Sequence, residues 1–393
     1  MSQQWTVKFS PVDTWFFKES RNMDDSGAIL MESLFPASIK TLLGAIRTYI
    51  GNERQIDWSN FSADSEFAKT IGYGEHDLGA LVCNGFSLEK NGESHYAAPL
   101  NLVSKDGMYE FFEIGQAVQT DLGFCRLPEM KTVGGKPLEN HYLSKTDWES
   151  ILKGKLPSSS IAKTHTQLPG DRKKSDVILV NEPRLGIARN NQTGSVIQGM
   201  LYQTEHLRLQ EGWSMSLQLQ SSLPLFENQQ SSDLIRLGGE GRLAHVEFKQ
   251  AAAELPAKVS VTQNMLGVII YLLTPLPDQR VDNQLPVLPF SDVKVSQSSQ
   301  TQALQWEGSV GDLKIKVISA VVGKSIRLGG WDMKLHKSTP VRSFVPPGSC
   351  WYVQTESQEQ AQQIIDGLHG QFLTSGIERQ YGYGQVFVGL WLK

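Results

Sequence analysis

The residues of this chain whose types and spacing most suggest chemistry are arginines set beside glycine loops. The stretch "LIRLGGEGRLAHVEF" (234–248) starts as a strand, breaks on Gly238, Gly239 and Gly241, and resumes an apolar alternation after Arg242, with Arg236 ahead of the glycines. The C-terminal "GIERQYGYGQVFVGLW" repeats that plan, with Arg379, then Tyr381, Gly382, Tyr383 and Gly384, then an alternating strand. Glycine lets a backbone approach a phosphate closely and bares its N–H groups, arginine brings charge, and tyrosine offers a stacking face. "RLGIARN" adds Arg184 and Arg189, "VVGKSIRLGG" adds Arg327, and the helix start "PASIK" adds Ser38, Lys40 and backbone donors suited to an anion. Taken singly, a glycine loop is as readily a hairpin turn and a tyrosine as readily core. The same combination at both places points to a surface for a polynucleotide backbone. The run "DRKKSD" (171–176) is a further basic stretch, more often a solvated loop than a site.

Catalytic patterns fail one by one. Gly323-Lys324-Ser325 resembles the tail of a phosphate-binding loop, but Ile318 stands where the earlier glycine is required, so a surface turn is the better reading. "GGEGRL" precedes a strand rather than a helix, so no helix N-terminus awaits a pyrophosphate. Eight histidines, at 76, 95, 141, 165, 206, 245, 336 and 369, show no metal-ligand spacing, and no G-x-S-x-G elbow occurs. Asp24-Asp25 reads as a solvated acidic loop. The expectation is a protein that is not an enzyme and needs no cofactor or metal.

The elements that must position the arginines are legible in part. "WTVKFSPVDTWFF" reads as a strand bending at Pro11, and "LFPASIKTLLGAIRTYIG" as a helix starting at Pro36–Ser38. Ile39, Leu42, Leu43, Ile46 and Ile50 fall on one face of that helix, which Gly51 is expected to close. Asn91-Gly92 marks a hairpin turn. Residues of about 105–175 are mixed and polar and read as a partly ordered insertion. "RLGIARNNQTGSVIQGMLYQTEHLRL" reads as strand, turn and strand, and "SQEQAQQIIDGLHGQFL" as a late helix with Ala361, Ile364, Ile365 and Leu368 inward. The two glycine-loop strands each close a half that opened on a long apolar strand, a weak internal repeat. The fold class expected is α+β, with two tandem ferredoxin-like (RRM-like) domains carrying insertions and glycine-rich loops. Domain one covers 1–250 with the insertion at about 105–175; domain two covers 251–393 and ends in a glycine-rich loop and strand.

Bulk properties agree with a globular protein. In 393 residues, 37 lysines and arginines face 41 acids, a net charge of −4, so a nucleic-acid contact has to be a local basic surface. Cys83, Cys125 and Cys350 form no CxxC pair, which suits a reducing cytoplasm. No run is long and apolar enough for a membrane span, and the start "MSQQWTVKFS" lacks the order of a secretory signal. A cytoplasmic location without membrane contact is expected.

The motifs "SPVDTWFF", "LFPASIKTLLGAIRTYIG", "RLGIARNNQTGSVIQGMLY", "IRLGGEGRLAHVEF", "VRSFVPPGSCWYV" and "GIERQYGYGQVFVGLW" occur in the order of the third Cmr subunit family, which the chain resembles over nearly its whole length. These are repeat-associated mysterious proteins (RAMPs) of type III-B CRISPR effector complexes. The resemblance implies a non-catalytic subunit for antiviral defence that binds the 5′ handle of CRISPR RNA. Its implied neighbours are the large Palm-domain (polymerase/cyclase-like) subunit and a backbone RAMP subunit, with target RNA an indirect partner. "GGWDMKLHKSTPVRSF" replaces a shorter Gly/Lys/Pro-rich stretch of that family, and "FKESRNMDDSG" is more acidic than its counterpart, which bears on Arg21. Two other readings stand beside this one: a RAMP endoribonuclease processing precursor RNA, and a purely structural bridge. Against the first, the helix "PASIKTLLGAIRTYIG" holds no histidine for acid–base work.

Overall fold

The computed structural model describes residues 2–19, 30–158, 161–164, 177–190, 192–226, 230–278, 290–332 and 337–392. The fold is α+β, mostly antiparallel sheet with few helices, and it divides into two compact units. One unit gathers residues 1–92, 162–253 and 327–342; the other gathers 93–161, 254–326 and 343–393. A single cut near residue 250 therefore does not describe the packing, because 93–161 joins the later residues and 327–342 the earlier ones.

In the first unit the strands β1 (Gln3–Pro11), β2 (Leu81–Lys90), β3 (Trp213–Ser221), β4 (Gln230–Arg236) and β5 (Leu243–Lys249) lie in the order β2-β3-β1-β5-β4. All neighbours are antiparallel, and Val7 of β1 sits between Leu217 and Phe248. The two-residue period buries Trp5, Val7 and Phe9 on one face of β1. Helix α1 (Ile39–Glu53) starts where Ser38 Oγ accepts the Thr41 N–H at 3.1 Å, and it buries the apolar face expected. Tyr49 of α1 stacks on Phe248 at 5.0 Å, docking the helix on the sheet. Gly51 does not end this helix, which runs two residues further. The glycine makes room, since a Cβ there would fall 2.3 Å from the Trp58 ring. Asn91 and Gly92 both have positive φ, as a two-residue hairpin turn requires.

In the second unit β6 (Met265–Leu272), β7 (Leu313–Val321), β8 (Cys350–Gln354) and β9 (Val386–Leu392) lie in the order β7-β8-β6-β9, all antiparallel. Numbered along the chain, both units place the second, third and first strands side by side in that order; the next position holds the fourth strand, β9, in the second unit and the fifth, β5, in the first, where β4 lies outside it. The first unit has its helix after the first strand; the second has α2 (Gln358–Leu368) between the third and fourth, with Ala361, Ile364, Ile365 and Leu368 buried as expected.

The region of 105–175 is more structured than its polarity suggests. Its helix Lys145–Leu152 is capped by Ser144, and Trp148 inserts fully buried between Tyr271 and Phe387, 5.4 and 5.5 Å away. A short helix with only Trp148, Ile151 and Leu152 as its apolar face leaves little periodic signal. Part of the expected insertion, including the "DRKKSD" run, lies outside the described residues, as do Arg21 and Asp24-Asp25. Among the described residues no helix is long and apolar enough to cross a membrane.

Candidate nucleic-acid interface

The strands Leu179–Arg189 and Val196–Leu209 form an antiparallel ribbon in which Val180 faces Arg208, Glu182 faces His206 and Arg184 faces Thr204. Alternation then puts Glu182, Arg184, His206 and Arg208 on one face. The segment following β1 is held against this ribbon by Trp15 and Leu207, each of which donates its backbone N–H to the other's carbonyl at 2.9 and 2.8 Å. That pairing delivers Asp13 to the arginines. Arg208 donates to Asp13 Oδ1 at 2.8 Å, Arg184 to Asp13 Oδ2 at 3.2 Å, and Arg242 of the glycine loop approaches Oδ2 at 3.5 Å. Glu182 accepts from Arg184 at 3.2 Å and from both the Nε and a terminal nitrogen of Arg208.

Three guanidinium groups thus share two carboxylates, and their side chains remain 24 to 41% exposed. The hydrogen bond from Arg208, the largest cause in each case, together with Arg184 holds Asp13 and Glu182 below the ordinary carboxylate range. Beneath them His206 is 1% exposed and hydrogen-bonded to Thr14 at 3.2 Å, and its ring stacks on Phe16. Burial, then the positive charges of Arg242 and Arg184, push His206 down to about 4, so it is neutral at physiological pH.

The glycine loop before β5 meets its own chain on one side. Gly239 donates its N–H to the Phe16 carbonyl at 2.8 Å, and a Cβ on Gly238 would lie 2.6 Å from the same oxygen. The residues from Gly238 to Gly241 are nonetheless exposed on their other side, next to Arg242. What comes too close for a side chain at Gly238 is the backbone of Phe16.

The C-terminal glycine loop differs. Tyr381 and Tyr383 are 4% and 0% exposed, and Gly382 and Gly384 are buried with them. The Thr274 hydroxyl donates to Gly382 O at 2.7 Å and accepts from Gln385 N at 2.9 Å, while Gly384 N–H bonds Pro275 O. This corrects the expectation that Tyr381 and Tyr383 are stacking faces: both rings are spent on packing, Tyr383 against Phe344 at 5.0 Å. Arg379 lies 3.7 Å over the Phe372 ring. Ser38 is occupied as the helix cap, and Lys40 pairs with Glu75 at 3.4 Å, so neither is an uncommitted anion ligand. Arg236 and Arg327 are exposed; Arg189 closes the first ribbon strand, and its side chain lies outside the described residues.

The structure therefore joins Arg184, Arg242 and the exposed loop Gly238–Gly241, and adds Asp13, Glu182 and Arg208, which the sequence reading missed. Arg208 had a signal: it shares the parity of Glu182 and Arg184 across a readable hairpin. Among the described residues no three histidines, cysteines or acids converge as for a metal ion.

Comparison with known proteins then places the chain. The family of CRISPR-associated Cmr3 proteins matches residues 7–391. This protein belongs to the Cmr3 family. The match bears out the resemblance to the third Cmr subunit of type III-B effectors drawn from the motifs. No curated protein matches the chain. Among solved structures it is similar to a chain of the Type III-B Cmr-beta complex bound to cognate target RNA, at 14% identity over 99% of both chains with a TM-score of 0.47. It is similar too to a chain of the Cmr-beta complex bound to cognate target RNA and AMPPnP, at 14% identity over 93% of this chain and 88% of that one, TM-score 0.45. A third likeness, to the Apo state of Cmr-beta, has 10% identity over 62% of this chain and 96% of that one, TM-score 0.25.

Proposed function

We propose that this Cmr3-family subunit is non-catalytic and holds the 5′ handle of CRISPR RNA on the face formed by Arg184, Arg208, Arg242 and the exposed side of Gly238–Gly241. The observation that carries the reading is the gathering of three partly exposed guanidinium groups beside bare loop backbone, in a chain of net charge −4. A handle is single-stranded RNA in a fixed path, and it is held by close backbone donors and a few charges rather than by a uniformly basic surface. Asp13 keeps the guanidinium groups spaced when the site is empty, and a phosphate takes over part of its pairing. Arg236, exposed at the end of β4, brings a further positive charge just ahead of the loop. In the same reading each unit is a ferredoxin-like domain, a view supported by the second-third-first strand order that the two sheets share and by an amphipathic helix in each, α1 and α2. The chain bridges the large Palm-domain subunit and a backbone RAMP subunit in the cytoplasm. His206 is buried and neutral beneath the arginines, which favours this reading over an endoribonuclease with an accessible histidine.

The test is site-specific crosslinking of handle nucleotides in the assembled complex, with Arg242→Gln and Arg236→Glu variants. Crosslinks to the 236–242 segment and weaker handle retention in both variants are expected. Handle nucleotides that crosslink elsewhere, with retention unchanged in both variants, refute the reading.

A further inference from the structure

The hairpin of strands Ile326–Asp332 and Lys337–Val345 presents a second surface of a different kind. Gly330 faces Thr339, since a Cβ at 330 would lie 3.1 Å from the Thr339 hydroxyl. The two-residue period therefore puts Arg327, Gly329 and Trp331 on one face with Ser338, Pro340 and Arg342, and turns Leu328, which is buried, the other way. Trp331 is 59% exposed. Among the described residues nothing engages its ring or its indole N–H. Trp58, also exposed, contrasts with it: its indole donates to Asn52 Oδ1 at 2.8 Å and its ring meets Phe61.

We propose that this face of the hairpin is a stacking site for a base of single-stranded RNA, with Trp331 as the platform and Arg327 as the principal phosphate contact. It rests on the RNA-binding reading above only in naming the polymer. An uncovered tryptophan suits either a base or a protein pocket, and the charge around it decides between them. The described residues of 324–342 hold Lys324, Arg327, Lys337 and Arg342 against Asp332. Asp278, which accepts from the Ser325 hydroxyl at 3.2 Å, adds a second acid beside the hairpin. Bases still outnumber acids here, within a chain where the reverse holds. Such a local excess attracts a polyanion. Gly329, next to Trp331 in the strand and on the same face, leaves space for a flat ring to approach. The exposed aromatic of the Glu113–Glu129 hairpin, Phe124, has a different charge setting: over 113–129 the acids Glu113, Asp121 and Glu129 outnumber the one base, Arg126.

The test is equilibrium binding of the full chain to a short 5′-labelled oligouridine across a salt series. Trp331→Ala is expected to weaken binding about tenfold, the loss of one base stack, while Trp331→Phe keeps most of it. Arg327→Glu should weaken binding and flatten its salt dependence. Because Trp331 is exposed, thermal unfolding of the alanine variant should match the parent. Unchanged affinity in Trp331→Ala overturns the proposal, as does unchanged affinity accompanied by failure to assemble with protein subunits, which would make this a protein-docking face. Arg242→Gln in the same assay separates the two readings. Loss there without loss at Trp331 sinks only the hairpin site, and loss at Trp331 without loss at Arg242 sinks only the handle face.

Discussion

Replacing Gly238 by alanine, beside the same change at Gly241, separates two reasons for a glycine loop. Both residues have positive φ, +87° and +65°. Forcing an L side chain into that region costs about 1–2 kcal/mol at either position. Around Gly241 nothing lies within 4 Å of the added Cβ, so strain is the whole effect. At Gly238 the new carbon would sit 2.6 Å from Phe16 O, a backbone atom that cannot rotate away. The loop must then retreat, and the Gly239 N–H to Phe16 O bond stretches or breaks, adding about 0.5–1.5 kcal/mol and some packing loss. The total at Gly238 is about 2–4 kcal/mol. At roughly 2–4 °C per kcal/mol for a domain of this size, Gly238→Ala should melt several degrees below Gly241→Ala. The loop also carries Arg242, so its retreat should pull that guanidinium from Asp13 and loosen RNA binding. Thermal unfolding of the purified variants, followed by handle-binding titration, reads both effects. Equal melting temperatures for the two variants would refute the argument that Phe16 requires a glycine there.

Two further outcomes follow from the buried groups. Thr274→Val keeps the shape of a fully buried side chain but removes the hydroxyl that seals the C-terminal loop, leaving Gly382 O and Gln385 N without that partner. Denaturant unfolding should show a loss of about 1–3 kcal/mol, with RNA affinity per folded molecule unchanged, because the loop is interior. His206 takes up its proton near pH 4 in the fold and near 6.5 when unfolded, so the unfolded state gains protons first as pH falls. Stability contributed by this residue is complete above about 6.5 and declines between there and about 4. Denaturation series from pH 7 to 4.5 should show that decline, and His206→Gln should make it shallower; an identical slope in the variant would exclude His206 as its source.

Much of the local structure is written in short-range pattern. The α1 face of Ile39, Leu42, Leu43, Ile46 and Ile50, the Asn91-Gly92 turn and the α2 face were legible because each depends on neighbours within a turn or a pleat. Gly51 was misread for a tertiary reason: the glycine answers to Trp58, which packs against it from outside the helix. The helix carrying Trp148 was missed because a single large side chain does for its core what periodic patterning does elsewhere. The likeness of the two glycine loops was real in sequence, yet one has an exposed side and the other is interior, a difference made by Thr274 and Phe344 rather than by the loops.

The sequence by itself determined the strands with a clear apolar alternation, the two principal helices, the motif order that marks the Cmr3 family, and the presence of arginines near bare turns. Only the tertiary structure decided which of those arginines meet. Asp13 contacts partners 171, 195 and 229 residues away, and no periodicity reaches across such distances. Their meeting depends on β1 pairing with β5 and on the Trp15 bridge to the ribbon, both products of sheet assembly. The same assembly buries Tyr381 and Tyr383, because a ring next to a closing strand is drawn into whatever apolar surface the finished sheet offers.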